Sequence, residues 1–149
     1  MTIWEVLDEL IENMKLPDNV KIKIKNSGRE LFRKTYELSD RLKLIAIVTA
    51  ASLNNFYKCE DAFLRYAEEK NFENSFIKSL IDNMRDLTLY EENELSIIQI
   101  VTEVTTKSRI FPTTKSIAKK YLTEKEIEYI IFLTSYINFI AKIKCAEEI

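Results

Sequence analysis

The amino-acid sequence predicts an all-α protein. Glycine occurs once and proline twice among its 149 residues, whereas an all-β fold needs more of these residues for its turns. Four pairs with capping-box spacing, in which a hydroxyl side chain precedes a glutamate by three positions, mark candidate helix starts. The pairs are Thr2 with Glu5, Ser27 with Glu30, Thr88 with Glu91 and Thr123 with Glu126. The chain is therefore expected to be built of helices.

Length and composition describe one ordinary soluble domain over residues 1–149. The net charge of -2 argues against nucleic acid as the main partner, because phosphate contacts need an excess of Lys and Arg. The first residues do not have the pattern of a signal peptide. The longest uncharged run, 129–141, is shorter than the roughly 20 residues that span a bilayer. We therefore expect a cytoplasmic protein without a membrane partner.

The chain has two cysteines, Cys59 and Cys145, and no histidine. That count excludes a structural zinc site, and we expect neither a metal nor a cofactor. Cysteines without a pair motif are typical of a reducing cytoplasm. Because histidine is the commonest acid–base group near neutral pH, any catalysis here has to proceed without it.

In the first half of the chain, apolar spacing predicts a helix over about 3–15, which Pro17 ends. Residues 18–25 alternate apolar side chains with lysine, but this strand pattern has no partner strand, so we interpret it as helix or irregular lead-in. The capping pair at Ser27 predicts a helix over about 28–38. Its expected inward side chains are Leu31, Phe32, Thr35 and Tyr36.

A buried helix is expected next, capped by Ser39-Asp40. Residues 44–53 carry no charge, and a helix that is apolar on all sides is a buried one. Asn54-Asn55 marks its end. A further helix is predicted over about 56–70, and a short one over about 75–83.

In the second half, the β-branched run over 97–106 allows helix or strand, but it does not alternate, which favours helix. A connection over 109–112 and a short helix over 113–121 precede a long final helix that ends at about Cys145. The apolar residues of that helix cover more of its circumference than one neighbour can contact. We interpret this as core plus a subunit interface, with a ligand groove as the less favoured alternative.

The candidate catalytic side chain is Cys59. Phe56, Cys59 and Phe63 are spaced i, i+3 and i+7, so they share one helix face. A position near a helix start lowers a thiol pKa, whereas the acids Glu60 and Asp61 and burial between two rings raise it. The favoured interpretation is an inert, buried cysteine in contact with aromatic rings. A one-cysteine peroxidase or redox sensor is the alternative.

The stretch SDRLKLIAIVTAASLNNFYKCEDAF over 39–63 resembles the alkylhydroperoxidase D-like and carboxymuconolactone decarboxylase-like family. That family has an Arg-x-x-Glu at the start of a buried helix, then Cys-x-x-Cys twelve residues after the glutamate and His four residues further on. A register without a gap places Arg41 on the arginine and Cys59 on the second cysteine. The final helix carries Tyr-Ile-Asn-Phe at 136–139 where the family has Tyr-Phe-Asn-Phe. The resemblance covers roughly 18–146.

Three positions of the family's redox site differ in this chain. Leu44 stands at the glutamate position, Phe56 at the first cysteine and Phe63 at the histidine. A disulfide cycle needs two sulfurs about one helical turn apart and a titratable neighbour. The resemblance therefore implies that the cycle is lost, unless Cys145 lies close to Cys59. The polar groups that a decarboxylase of this family uses are missing as well.

The resemblance implies a bundle of six to eight helices and a homo-oligomer, such as a trimer or hexamer. The replaced positions predict an apolar former site, which is either core or holds a small hydrophobic ligand. Two functions stay open: a non-catalytic oligomeric or ligand-binding protein, and a residual thiol peroxidase that uses Cys59 with an external reductant. A partner-binding adaptor is a third, less favoured option.

Overall fold

The computed structural model describes residues 1–35, 37–81 and 87–149, which form an all-α multi-helix bundle. Eight α-helices lie in these described residues. They are α1 (Ile3–Glu12), α2 (Asp18–Lys34), α3 (Asp40–Leu53), α4 (Tyr57–Glu69), α5 (Asn74–Ile81), α6 (Glu92–Lys107), α7 (Pro112–Tyr121) and α8 (Glu124–Ile143). Short 3-10 helices follow over Leu87–Leu89 and Lys144–Glu148. The predicted fold class is confirmed.

The central helix of the bundle is α3, which packs against α4, α6 and α8. Every residue from Leu42 to Ala51 is buried, as the uncharged run predicts. Ser39 caps the helix, because its hydroxyl accepts a hydrogen bond from the Leu42 N–H at 3.3 Å. One residue in this buried stretch, Lys43, is charged. The apolar pattern of its neighbours did not predict that a lysine would be buried.

The turn between α3 and α4 places Cys59 in the first turn of α4. Asn55 has a left-handed backbone with φ of 54°, a conformation that asparagine tolerates better than most residues. The Phe56 N–H then donates to the Ala51 carbonyl at 2.8 Å, and the Asn55 N–H donates to the Ser52 carbonyl at 3.1 Å. These two bonds form a Schellman motif, which satisfies carbonyls at the end of α3 and directs Phe56 into the core.

The ambiguous lysine-rich segment belongs to α2, a single helix over Asp18–Lys34. The helix start predicted at Ser27 and Glu30 is therefore wrong. Gly28 lies inside this helix, where an added Cβ would be 2.2 Å from the Tyr136 hydroxyl oxygen and 2.5 Å from a Trp4 ring carbon. The chain's only glycine thus allows α1 and α8 to pack closely on α2.

The side chains expected to face inward from this helix are mostly where the sequence placed them. Phe32 and Thr35 are buried and Leu31 is half-buried, while Tyr36 lies outside the described residues. The Tyr136 hydroxyl of α8 donates to the Ile24 carbonyl at 2.6 Å. That bond fixes the close approach of α2 and α8.

Two of the other predicted capping boxes are confirmed, those at Thr2 and Thr123. The one predicted at Thr88 is wrong, because α6 begins one turn later with a capping box between Glu91 and Glu94. The predicted short helix over 75–83 corresponds to α5, which is described as far as Ile81; residues 82–83 lie outside the described residues. The final α-helix ends at Ile143, two residues before its predicted end.

One side of α8 is buried and the other is exposed. Ile130, Leu133 and Ile137 have no exposed surface, whereas Phe139 keeps 47% exposed. Within the described part of the chain, 124–148 is the one stretch long and apolar enough to cross a membrane, with 39% of its most apolar window buried in the bundle. Core helices of soluble proteins pass the same test, so this is weak evidence for a membrane span.

Candidate functional site around Cys59

The side chains around the predicted thiol site are packed without contact with solvent. Cys59, the third residue of α4, is 0% exposed, as are Leu44 and Phe63, and Phe56 at the N-cap position is equally enclosed. The predicted burial of Cys59 is thereby confirmed. Leu44 and Phe63, which the resemblance aligns with proton-relaying groups, are hydrocarbon side chains in the buried core.

Burial controls the chemistry of this thiol. Removal from water raises the pKa of Cys59 well above its ordinary value, and the negative charge of the adjacent Glu60 raises it further. The first-turn position in α4, which favours a thiolate, is outweighed. Because the thiolate is the nucleophilic form of cysteine, the Cys59 thiol is held in its unreactive state near neutral pH.

The second cysteine is not paired with the first. Both thiols are free, and Cys145 is exposed in the 3-10 helix after α8. Its Sγ lies 3.9 Å from the Ala141 carbonyl oxygen, its own helical neighbour. The structure therefore does not assemble a two-sulfur site from Cys59 and Cys145.

The same C-terminal segment covers the outer side of the thiol site. The Lys144 ammonium lies 5.0 Å from the centre of the Phe56 ring. A surface cavity of about 410 Å³ adjoins this contact, with Leu10, Met14 and Tyr57 among its lining residues. Open space therefore lies outside Phe56, on the solvent side of the packed core.

Arg41, the predicted counterpart of the family arginine, is held at the junction of α3, α5 and α6. Its Nε donates to Glu94 Oε2 at 2.5 Å, and its guanidinium carbon lies 4.0 Å from the centre of the Phe76 ring. Glu94 is 3% exposed on its side chain and also accepts the Glu91 N–H at 2.9 Å. The ion pair with the buried Glu94 joins α3 to α6, and the contact with the Phe76 ring adds α5, so we interpret Arg41 as a structural residue.

Sequence reasoning missed Glu94. Its one signal was the Glu91-x-x-Glu94 spacing, which is the capping box actually used by α6. The helix start predicted three residues earlier placed Glu91 as the inner member of the pair and left Glu94 without a role.

A polar contact connects the end of α3 to α6 and α8. The Asn54 amide donates to Asn138 Oδ1 at 2.6 Å and to the Ala50 carbonyl at 2.8 Å. The Thr105 hydroxyl donates to the same Asn138 oxygen at 3.2 Å. Asn138, part of the run that resembles the family's final helix, thus stabilises packing between helices.

Glu103 is a second buried carboxylate that sequence reasoning did not identify. It accepts hydrogen bonds from the Thr114 hydroxyl at 2.5 Å, the Gln99 amide at 2.6 Å and the Phe111 N–H at 2.8 Å. Burial alone would raise the pKa of Glu103, but these hydrogen bonds and the charge of Arg109 outweigh it and hold the pKa below its ordinary value. The carboxylate anchors the start of α7 to α6.

Within the described residues, no group of three or more Cys, Asp or Glu side chains is arranged to hold a metal ion. No protein-family model, no curated protein and no solved structure matches this chain. The described residues form an all-α bundle with a buried, unpaired cysteine in its core.

Proposed function

We propose that this chain is an alkylhydroperoxidase D-like protein that has lost the dithiol peroxidase site and acts without catalysis, as a homo-oligomeric binding protein. The complete burial of Cys59 carries this proposal. A peroxidatic cysteine has to present a thiolate to its substrate. Cys59 is sealed from solvent, its pKa is raised, and Leu44 and Phe63 offer no group that could accept its proton.

Thiol titration of the native protein tests this proposal. In a Cys145→Ser variant, Cys59 is the only thiol, and we expect no reaction with an aromatic disulfide reagent until urea unfolds the chain. The matched Cys59→Ser variant keeps only the exposed Cys145 and should react at once. Equal native rates in the two variants would show that Cys59 is accessible and would overturn the proposal.

A residual thiol peroxidase is the second candidate. Its support is the position of Cys59 in the first turn of α4, where backbone N–H groups favour a thiolate. The reaction would oxidise the thiol to a sulfenic acid while the hydroperoxide is reduced to an alcohol, and an external dithiol would then reduce the sulfenic acid. Consumption of cumene hydroperoxide with dithiothreitol, lost in Cys59→Ser but not in Cys145→Ser, would establish it. We expect no turnover above the buffer rate.

The exposed side of α8 supports the proposed homo-oligomer. Phe139 is 47% exposed, and Phe132, two turns before it on the same side, is only half-buried. Aromatic side chains aligned on one helix face are typical of subunit contacts. We expect light scattering to give a multiple of the 17.6 kDa chain mass.

A substitution can assign the oligomer contact to this face. Phe139→Glu should lower the measured mass, because it places a charge in the contact. Tyr57→Glu, at an aromatic residue that is 63% exposed on α4, is the matched control and should leave the mass unchanged. A monomer at micromolar concentration in the unsubstituted protein would refute assembly.

The ligand-binding part of the proposal concerns a small hydrophobic molecule. Cys59, Leu44 and Phe63 have no exposed surface, so a ligand could reach them only if the core opened. The cavity of about 410 Å³ outside Phe56 is within the volume range of small-molecule sites, so this is where such a ligand would bind.

A further inference from the structure

A second cleft, of about 460 Å³, lies between the start of α1 and the helices α2, α3 and α4. Trp4 and Phe32, whose ring centres lie 5.6 Å apart, form its aromatic wall. The lining also contains four cationic side chains, Arg29, Arg33, Lys43 and Lys70. Cys59 and its aromatic neighbours are not part of this lining, so the cleft is separate from the thiol site.

Lys43 is the unusual member of this cleft. It is only 8% exposed, and its ammonium makes no hydrogen bond or ion pair with any residue in 1–35, 37–81 or 87–149. Burial lowers the pKa of Lys43, although the nearby charge of Asp40 partly compensates. The ammonium opens onto the cleft and has no acidic partner, so an anion in the cleft would pair with it.

Asp40, the acid in this cleft, already has a partner. The Tyr66 hydroxyl donates to Asp40 Oδ2 at 3.0 Å. Burial, followed by the hydrogen bond to Asp40 and its charge, raises the pKa of Tyr66 to about 12, so the phenol stays neutral. The Asp40 carboxylate is thus held by the neutral Tyr66 hydroxyl. Asp40 forms no direct ion pair with the Lys43 ammonium.

The other cations are arranged along the aromatic side chains. The Arg29 guanidinium lies 5.9 Å from the centre of the Trp4 ring, and the Lys70 ammonium lies 5.7 Å from the centre of the Tyr66 ring. In the described part of the chain neither cation has an acidic partner. Arg33, also in the lining, is paired with Glu30. Of the four cations that line the cleft, three therefore have no acidic partner, and the lining contains one acid, Asp40.

We propose that this cleft binds a small organic anion whose phosphate or carboxylate group pairs with Lys43 and its neighbouring cations and whose apolar part lies against Trp4 and Phe32. The charge excess selects an anion over a neutral or cationic molecule. The aromatic wall favours a ligand with a flat apolar part over a bare inorganic ion. Lys43 is the most buried of the three unpaired cations. We therefore expect its ion pair with the ligand to be the strongest, because a desolvated charge interacts more strongly than an exposed one.

Trp4 provides a direct measurement, because it is the chain's only tryptophan and it lines the cleft. Phenyl phosphate is the probe, with benzyl alcohol as its neutral counterpart and inorganic phosphate as the anion without an apolar part. We expect a saturable change of Trp4 fluorescence and a raised thermal unfolding temperature with phenyl phosphate. The other two compounds should bind at least about tenfold more weakly, a loss of the order expected for one removed contact.

Each failure of this titration has a definite meaning. No saturation with millimolar phenyl phosphate would overturn the proposal. Equal affinity for benzyl alcohol would show that charge is not recognised, and equal affinity for inorganic phosphate would show that the aromatic wall contributes nothing. Either result contradicts the proposed ligand class.

Substitutions locate the contact. Lys43→Met keeps most of the side-chain volume and removes the charge, and we expect it to weaken phenyl phosphate binding by about tenfold or more. Lys70→Met, at the rim of the cleft, should weaken phenyl phosphate binding only a few-fold. Because the Lys70 side chain is exposed, this variant should fold like the unsubstituted protein. Lys120→Met, an exposed lysine of α7 outside the lining, is the control and should bind like the unsubstituted protein. Unchanged affinity in both Lys43→Met and Lys70→Met would refute the site.

Discussion

Cys59 on α4 and Lys43 on α3 are both buried, but their surroundings are opposite. Cys59 is enclosed by hydrocarbon, and the loss of water keeps its thiol protonated. Lys43 is withdrawn from solvent too, but its ammonium borders a cleft with further cations and an aromatic wall. Burial therefore makes a group unreactive where no cavity adjoins it, and leaves it able to bind a ligand where a cleft does.

The two buried carboxylates of α6 differ from both Cys59 and Lys43, because each has partners inside the bundle. Glu94 is paired with Arg41, and Glu103 accepts three hydrogen bonds. A fully satisfied buried charge stabilises one arrangement of helices and offers little to a ligand. The contrast with Lys43 can be tested by changing each group in turn.

The largest expected effect is at the sealed site. Cys59→Asp would place a carboxylate in a dry apolar core and should cost about 3–5 kcal/mol of unfolding free energy, or prevent folding. Urea denaturation followed by circular dichroism measures it. Cys145→Asp, at the exposed cysteine, is the control and should change little. A Cys59→Asp protein with unaltered stability would show that water reaches the site.

Glu103 should give the next largest effect and a pH dependence. Its pKa is held below the ordinary value of 4.5, so its contribution is present above that value and is lost as pH falls through its folded-state pKa. Glu103→Ala should cost about 2–3 kcal/mol at neutral pH, because three donors lose their acceptor. The urea midpoint, measured from about pH 6 to pH 3, should fall more in the unsubstituted protein than in Glu103→Ala. Parallel pH profiles would contradict this assignment.

A smaller loss is expected at Gly28, behind the aromatic wall of the cleft. Gly28→Ala should destabilise by about 1–3 kcal/mol, because the new methyl group clashes with Tyr136 and Trp4. Helix propensity alone predicts a gain of about 0.5–1 kcal/mol for the same change. Ser27→Ala, exposed and adjacent, is the control. A stabilised Gly28→Ala protein would mean that α1 and α8 approach α2 less closely than the structure indicates.

The smallest effect on stability is expected at Lys43. Lys43→Met removes an unpaired buried charge and should change the unfolding free energy by less than about 1 kcal/mol, with stabilisation as the expected direction. The same urea experiment measures it beside Cys59→Asp. A loss of several kcal/mol would show that Lys43 is satisfied inside the bundle, which would also remove the reason for an anion in the cleft.

Helix content and the central buried helix could be predicted from sequence because both depend on local spacing. The uncharged stretch at 44–53 and the capping boxes at Thr2 and Thr123 act within one or two turns. The errors have a local cause too. Ser27-x-x-Glu30 has the spacing of a helix start, yet tertiary packing of Trp4 and Tyr136 on Gly28 favours a continuous α2.

The candidate site was predictable only in part. Burial of Cys59 follows from its spacing with Phe56 and Phe63 on one face, and the structure confirms it. The partner of Arg41 and the cleft beside Lys43 were not predictable, because they are formed by elements distant in sequence. Glu94 is 53 residues from Arg41, and the cleft around Lys43 combines residues from four helices.

Residue type and spacing were enough to predict the helical class and the buried position of α3, and they exclude a Cys-x-x-Cys pair and any histidine. These are properties of spacing and of residue type. The tertiary structure decided which buried groups are sealed, which are paired and which face open space. Whether a buried group is sealed, paired or next to a cleft depends on which side chains the other helices place beside it. A local sequence pattern does not carry that information.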